Sequence, residues 1–275
     1  MADVESRVQQ RYTQGDMLAR VNVWLKTNGK DLGPLKPEDL HAFDQLHGRG
    51  IAATREHAER AGIRADMHVL DLGCGVGGSS RYLTSALGCR VSGIDLTQEF
   101  IDVARELTRR CGIEVVEFRQ ANALKLPFAD ATFDHVWCHN VTMNIPDKAG
   151  LAREAGRVLK PGGRFSLVEV AQGPAGAPTF PVPWASTPDE SFLATPDEMR
   201  RTLEGAGFRI VQQNDDTAAS LSFSREMQER AARGETPPQV NQVVAGDDFQ
   251  LRVRNSGAGL RDGKLRDQFI LAEKL

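Results

Sequence analysis

An α/β fold built on a mostly parallel sheet is what this chain predicts, and three observations carry the prediction. An apolar run, His68-Val69-Leu70-Asp71-Leu72, breaks at Gly73-Cys74-Gly75-Val76-Gly77-Gly78 and passes into a helix-like segment from Ser79 to Leu87. A second run, from Cys89 to Ile94, ends in Asp95. Strand-like and amphipathic stretches then keep alternating towards the C-terminus, the order that builds parallel sheets. The 275 residues, 40% of them hydrophobic, suffice for one α/β domain with an appended cap.

The elements follow in order. Val8, Tyr12, Leu18, Val21 and Leu25 recur at helical spacing and predict a helix over 5–28, stopped by Asn28-Gly29-Lys30. Pro34 and Pro37 frame a linker, and Pro37 suits the start of a second helix. The glycine-flanked DQLHGRG stretch (44–50) precedes a helix over 51–62. Residues 1–62 therefore read as an N-terminal helical lid and 63–275 as the core. Strands are expected at 67–72, 90–95, 114–119, 132–138, 163–170 and 208–214, and helices at 78–87, 97–111, 147–158 and 196–206. Pro196-Asp197 favours a helix start, and Gly205 and Gly207 its end. Phe269-Ile270-Leu271-Ala272 is the expected last strand, antiparallel beside the sixth, making a seven-stranded sheet with helices on both faces. Two insertions interrupt the core. Residues 171–195 carry five prolines with Phe180, Trp184 and Phe192, and 216–262 include a polar helix at 222–234. Loops of this size are usually lids or partner surfaces; the plainer reading is that both pack on the core.

The glycine run carries the chemistry. Glycines let the backbone turn sharply and approach a ligand, and the helix behind them offers unpaired N–H groups. Gly73, Gly75 and Gly78 satisfy G-x-G-x-x-G with Asp95 about 20 residues on, which by itself also fits a dinucleotide. Asp71 decides between them. A carboxylate there repels a pyrophosphate but suits the cationic amino and sulfonium region of S-adenosylmethionine (SAM). Asp95 can then take both ribose hydroxyls, Asn122 the adenine amino group and the Ala123 N–H a ring nitrogen.

The run VLDLGCGVGG (69–78), the acidic Asp95, the segment ANALKLPF (121–128) and the turn RVLKPGGR (157–164) resemble class I SAM-dependent methyltransferases. Within them the resemblance is to the type 11 small-molecule branch, of the menaquinone/ubiquinone and sarcosine/dimethylglycine type. It covers residues 55–215 and the last strand, and departs from the family at Asn122, where Asp is commoner. It implies a Rossmann-like fold, SAM as cofactor and S-adenosylhomocysteine as product. The cofactor contacts it implies are Asp71, Gly73, Cys74, Gly75, Gly77, Asp95, Leu96, Asn122, Ala123, His139 and Tyr12, the last from a helix folded over the methionine end of SAM.

Methyl transfer from a sulfonium needs positioning and water exclusion, and a base only where the acceptor is protonated. His139, after the fourth strand, and His47, in the lid, are the candidate catalytic residues. His139 can instead cap its strand or meet SAM through its backbone, and His47 can contact substrate or lock the lid. Met143, Asn144 and Trp184 are candidate substrate contacts, Trp184 as an aromatic wall for a cation or as core. Glu169 closes the fifth strand, where it can attract an amine or simply be a surface charge. The sarcosine/dimethylglycine resemblance leans towards the nitrogen of an amine or amino acid. The alternatives are a C- or O-methyltransferase of a natural-product or quinone-like acceptor, and a non-catalytic SAM-binding protein. A metal-ligand trio, an Asn-Pro-Pro-Tyr motif and three clustered thiols are all lacking, so no metal is expected. Net charge −3 gives no nucleic-acid footprint, and the arginine clusters at 105–110 and 252–261 read as solvated faces. No apolar run reaches ~18 residues, so no membrane span is expected. Four unpaired cysteines and a charged N-terminus suggest the cytoplasm, with residues 222–262 a possible homodimer surface.

Overall fold

Four of the five residues of β1 (His68–Leu72) are buried, which a strand achieves at the centre of a sheet covered on both faces. In the computed structural model, which describes residues 2–13, 15–30, 33–235, 242–246 and 248–275, β1 pairs in parallel on both sides. On one side lie β2 (Arg90–Asp95) and then β3 (Val116–Gln120); on the other lie β4 (Phe133–His139) and then β5 (Leu159–Gln172). Strand β7 (Leu265–Lys274) inserts antiparallel between β5 and β6 (Phe208–Asp215), so the described sheet runs β3-β2-β1-β4-β5-β7-β6. The strand order reverses between β1 and β4. In open α/β sheets that reversal leaves a crevice at the carboxyl ends of the strands.

Helices cover both faces: α1 (Ala2–Tyr12), α2 (Met17–Thr27), α3 (Gly50–Ala61), α4 (Gly78–Leu87), α5 (Gln98–Arg110), α6 (Lys148–Val158), α7 (Pro196–Gly205), α8 (Thr217–Ala232), α9 (Gln242–Ala245) and α10 (Phe249–Arg261). Leu70, Leu72, Val136, Phe165 and Ile270 build one core layer, and Val69, Leu83, Trp137 and Phe269 belong to the other. The N-terminal segment has its own apolar seam. Met17, Val21, Leu25 and Phe43 pack on Val76, Phe100, Val103 and Leu107, which fastens α2 and the loop behind it to α5. A buried ion pair adds to that seam: Arg81 Nη2 of α4 donates to Asp44 Oδ2 at 2.9 Å.

The expected seven-stranded, mostly parallel sheet with an antiparallel last strand is present. Several boundaries differ. The helix expected over 5–28 is two helices, because Gly15 takes φ +81° and Glu99 of α5 accepts the N–H groups of Gly15 (3.0 Å) and Met17 (2.9 Å). Strand β5 begins at Leu159 and takes in the glycine turn before residue 163. The polar helix expected at 222–234 runs over Thr217–Ala232, and part of that insertion lies outside the described residues. Arg110 does not belong to a solvated face. It is buried and donates to Gly33 O and Asn22 Oδ1. Among the described residues no helix is long and apolar enough to cross a membrane.

Candidate cofactor crevice and acceptor chamber

The glycine turn after β1 folds back against β2. Gly73 and Cys74 donate their N–H groups to Ile94 O at 2.8 and 2.9 Å. Gly73 takes φ +78°, and a Cβ there would lie 2.2 Å from Val141 Cγ2, so only glycine fits. Gly75 donates to Asp95 Oδ2 at 3.0 Å, and Thr97 donates to Oδ1 at 2.9 Å. These bonds fix the Asp95 carboxylate on the crevice wall. Ser80 Oγ holds Asp71 at 2.5 Å. Burial, with the neighbouring Asp95 adding to it against the Ser80 bond, pushes the Asp71 carboxyl up to about 7. Burial also raises Asp95, against the N–H donors that favour its ionised form.

These groups line a crevice of about 180 Å³. Asp71, Gly73, Cys74, Gly75, Asp95, Leu96, Asn122, Ala123, His139, Tyr12 and Asn144 all stand on its walls. Gly77 does not; it lies behind the turn, where a Cβ would meet Phe118 and Arg81. The Asn122 amide donates to Glu5 of α1 at 2.8 Å and accepts from the Leu124 N–H at 2.8 Å. Helix α1 thus folds over the crevice, and Asn144 Nδ2 donates to its Tyr12 hydroxyl at 3.3 Å.

Past Tyr12, Leu46, His47, Phe100 and Asn140, which face both spaces, lies a chamber of about 1380 Å³. Helices α3, α8 and α10 supply much of it, and Met143 and Trp184 stand on its wall. Trp184 is buried, donates through Nε1 to Ser191 Oγ at 2.9 Å, and packs with Met143, Val182 and Leu265. Glu169 is no surface charge. It is 2% exposed, accepts from Thr142 Oγ1 and from Gln268 Nε2, and burial raises its pKa. Arg7 and Arg11 of α1 pair with Asp189 and Glu190 of the 171–195 insertion, tying lid to insertion.

Three histidines gather where the two spaces meet. The His139 ring stacks on Trp137 at 4.0 Å and presents its neighbours with edge contacts to His47 (5.1 Å) and His57 (5.3 Å). Burial holds His139 well below the usual histidine range and drops His47 to about 4, so both are neutral at physiological pH. Both His139 ring nitrogens and Asn144 Oδ1 are buried without a hydrogen-bond partner among the described residues. His57 escapes sequence reasoning. It sits inside a predicted helix, and its one local signal is Arg60 on the same face, one turn on. No group of His, Cys, Asp and Glu side chains among the described residues is arranged to hold a metal ion.

Residues 70–167 match the methyltransferase domain family. Over 133 residues the chain is 36% identical to methyltransferase GfsG of Streptomyces halstedii, covering 48% of each chain. It is 31% identical over 153 residues to sarcosine/dimethylglycine N-methyltransferase of Halorhodospira halochloris, covering 55% of each. The matched segments span about half the length of these curated relatives. Further relatives include a sterol 24-C-methyltransferase of Eremothecium gossypii and the O-methyltransferase cnsE of Penicillium expansum. Geranyl diphosphate C-methyltransferase of Streptomyces coelicolor A3(2), solved with S-adenosylhomocysteine, shares the fold at TM-score 0.69 and 21% identity, covering 99% of this chain and 98% of that one. The expected Rossmann-like fold is thereby borne out, and the match to the methyltransferase domain family falls on the glycine turn and the strands around it.

Proposed function

We propose that this chain, whose residues 70–167 are a methyltransferase domain, transfers a methyl group from SAM to an ionisable oxygen on a bulky, largely apolar small molecule. One observation carries the reading: the narrow cofactor crevice opens directly into a chamber of about 1380 Å³. That is larger than the roughly 300–1,000 Å³ in which drug-sized ligands are usually held. Ile51, Val170, Phe223, Met227, Phe249 and Leu260 face it, an apolar surface that a compact amino acid would leave wet.

The residues present fit SAM. The crevice wall carries buried polar atoms on His139 and Asn144, unpartnered among the described residues, that a polar ligand can engage, beside the carboxylates of Asp71 and Asp95. Asp95 would hold the ribose, Asp71 the cationic end, and Asn122 and Ala123 the base. When bound, SAM supplies a methyl group activated by its positive sulfur. The chain supplies the rest. Helix α1, with Tyr12 on Asn144, closes the crevice against water. Neutral His139 and His47 put no positive charge beside the cationic sulfonium. The chamber walls orient the acceptor towards the mouth they share.

A second reading, methylation of an amine nitrogen, is favoured by buried Glu169, a carboxylate on the chamber wall that suits an ammonium group. The large, mostly apolar chamber speaks against a compact amino acid as the nitrogen acceptor and leaves a bulky amine as the form this second reading takes. Thermal shift with SAM, S-adenosylhomocysteine and NAD, then transfer of labelled methyl to bulky phenols and to small amines, separates the readings. Stabilisation by the adenosyl ligands and label in an aryl ether is expected. Label only in amines would favour nitrogen; SAM binding without transfer to any acceptor would favour a non-catalytic SAM protein.

A further inference from the structure

The three histidines at the mouth differ in what holds them. His47 has both nitrogens engaged, Nδ1 with Gly48 O at 3.1 Å and Nε2 with Thr54 Oγ1 at 3.0 Å, which leaves no lone pair aimed at an acceptor. His139 has neither nitrogen engaged and no anion to balance a proton it might gain. His57 combines what the others lack. Its Nε2 lies 3.4 Å from Asp216 Oδ2, within ion-pair reach though not aligned as a hydrogen bond, and its Nδ1 has no partner among the described residues. Its ring is stacked on Phe269 at 5.4 Å and 16°, and it stands on the chamber wall beside His139. Asp216 is itself fixed, because Arg60 Nη1 donates to both carboxylate oxygens at 2.9 and 2.8 Å.

We infer that His57, oriented by Asp216, is the base that takes the acceptor's proton. This rests on the methyltransferase reading above. An anion beside Nε2 keeps the proton on that nitrogen and leaves the lone pair on the buried Nδ1, unpartnered among the described residues, the arrangement by which a carboxylate prepares an imidazole for proton abstraction. As the acceptor oxygen bonds to the methyl carbon, the sulfur–carbon bond breaks with its electron pair going to sulfur. The hydroxyl proton passes to Nδ1, and Asp216 stays ionised beside the imidazolium. Apo contacts of catalytic dyads are often long and tighten on binding, so 3.4 Å is compatible with the role. Of the other charged or titratable groups around His57, His139 of β4 meets its ring edge-on, Arg60 of its own helix lies over the Phe269 ring on which His57 stacks, and His47, Arg49, Glu169 and Asp267 line the same chamber.

The test uses the full chain, with SAM affinity by calorimetry, histidine nitrogen NMR, and turnover of the acceptor found in the phenol screen. At neutral pH wild-type His57, assigned by its loss in His57→Gln, should be the Nε2–H tautomer. His57→Gln should lose about 100-fold or more in kcat, the scale of general-base catalysis, with SAM affinity changed less than about threefold. Added imidazole should restore part of the activity of His57→Ala. Asp216 is a positioning residue. Asp216→Asn should lower kcat and scramble the His57 tautomer, because the anion that holds the proton on Nε2 is gone, and Asp216→Glu should return the Nε2–H signal. A merely structural pair would lower Tm and leave the tautomer in place. An Nδ1–H tautomer, or His57→Gln turning over within about threefold of wild type, overturns the inference. Wild-type protein that binds SAM and methylates nothing overturns the methyltransferase reading instead, and the tautomer still reports on the dyad.

Discussion

The cofactor crevice and the acceptor chamber meet at the same histidines yet are built in different ways. The crevice is local. The N–H groups of its glycine turn bond to Ile94 O and to the Asp95 carboxylate, and most of its wall comes from residues 71–146. The chamber is assembled from α1, the loop at 41–51, α3, the 171–195 insertion, α8, α10 and the start of β7. A local site needs a short pattern to specify it. An assembled site needs distant elements to dock, so its chemistry depends on long-range packing. The chain therefore holds one region that variation damages directly and one that variation can reshape.

The largest expected effect lies where the two regions are fastened together. Arg81, under the glycine turn, and Asp44, in the loop on the chamber side, are buried against each other. Asp44→Ala leaves the guanidinium without its anion and should cost about 3–5 kcal/mol by denaturant unfolding. Asp44→Leu combined with Arg81→Met removes both charges and should recover most of that loss. A cost under about 1 kcal/mol for Asp44→Ala would mean that water reaches the pair and that the lid is not fastened there.

Next comes a change confined to the crevice. Asp95→Ala removes the carboxylate that Gly75 and Thr97 hold in place and should weaken SAM by about 1.5–3 kcal/mol, roughly 10- to 100-fold. Acceptor binding in the chamber should change far less. Equal losses on both sides would show that the spaces are one site energetically.

The same division explains what the sequence made legible. Gly73, Gly75, Asp71 and Asp95 were readable because the turn they make is dictated within a few residues of chain. The mostly parallel α/β class was readable because strand-like and helix-like stretches alternate along the chain. The break at Gly15 was not, because apolar periodicity continues through it, and the partner that stabilises it, Glu99, lies on α5. His57 and Asp216 were illegible for the same reason: 159 positions of chain separate them, and only the pairing of the turn before α8 with β7, beside α3, brings them to 3.4 Å. Glu169 lay between these cases. Its place at a strand end was visible, but its burial depends on Gln268 from β7.

A pH titration sharpens the comparison with a smaller effect. Asp71, pushed up to about 7, is largely protonated in the empty crevice below that pH. A bound cation favours the ionised carboxylate, so binding SAM must release a proton there. Affinity should therefore fall by up to tenfold for each pH unit below about 7 and level off above it. Asp71→Asn should flatten the curve and lower the plateau. A curve already flat in wild-type protein would mean that Asp71 is ionised before SAM arrives.

The smallest expected effect tests whether the lid belongs to the crevice or to the chamber. The Tyr12 hydroxyl accepts one long bond, 3.3 Å, from Asn144, and such a bond is worth about 0.5–1.5 kcal/mol. Tyr12→Phe keeps the ring against Phe100 and loses only that bond. SAM should leave roughly two- to tenfold faster, with Tm nearly unchanged. The Arg7–Asp189 and Arg11–Glu190 pairs still tie α1 to the chamber-side insertion, so the lid stays docked in this variant. Asn144→Ala should lose at least as much as Tyr12→Phe, because it also removes the Oδ1 on the crevice wall that is unpartnered among the described residues, and the double variant should be no worse than Asn144→Ala alone, because the contact to Tyr12 is then already gone. Additive losses would show that each residue holds SAM separately, which would make α1 a wall of the crevice rather than a latch across its mouth.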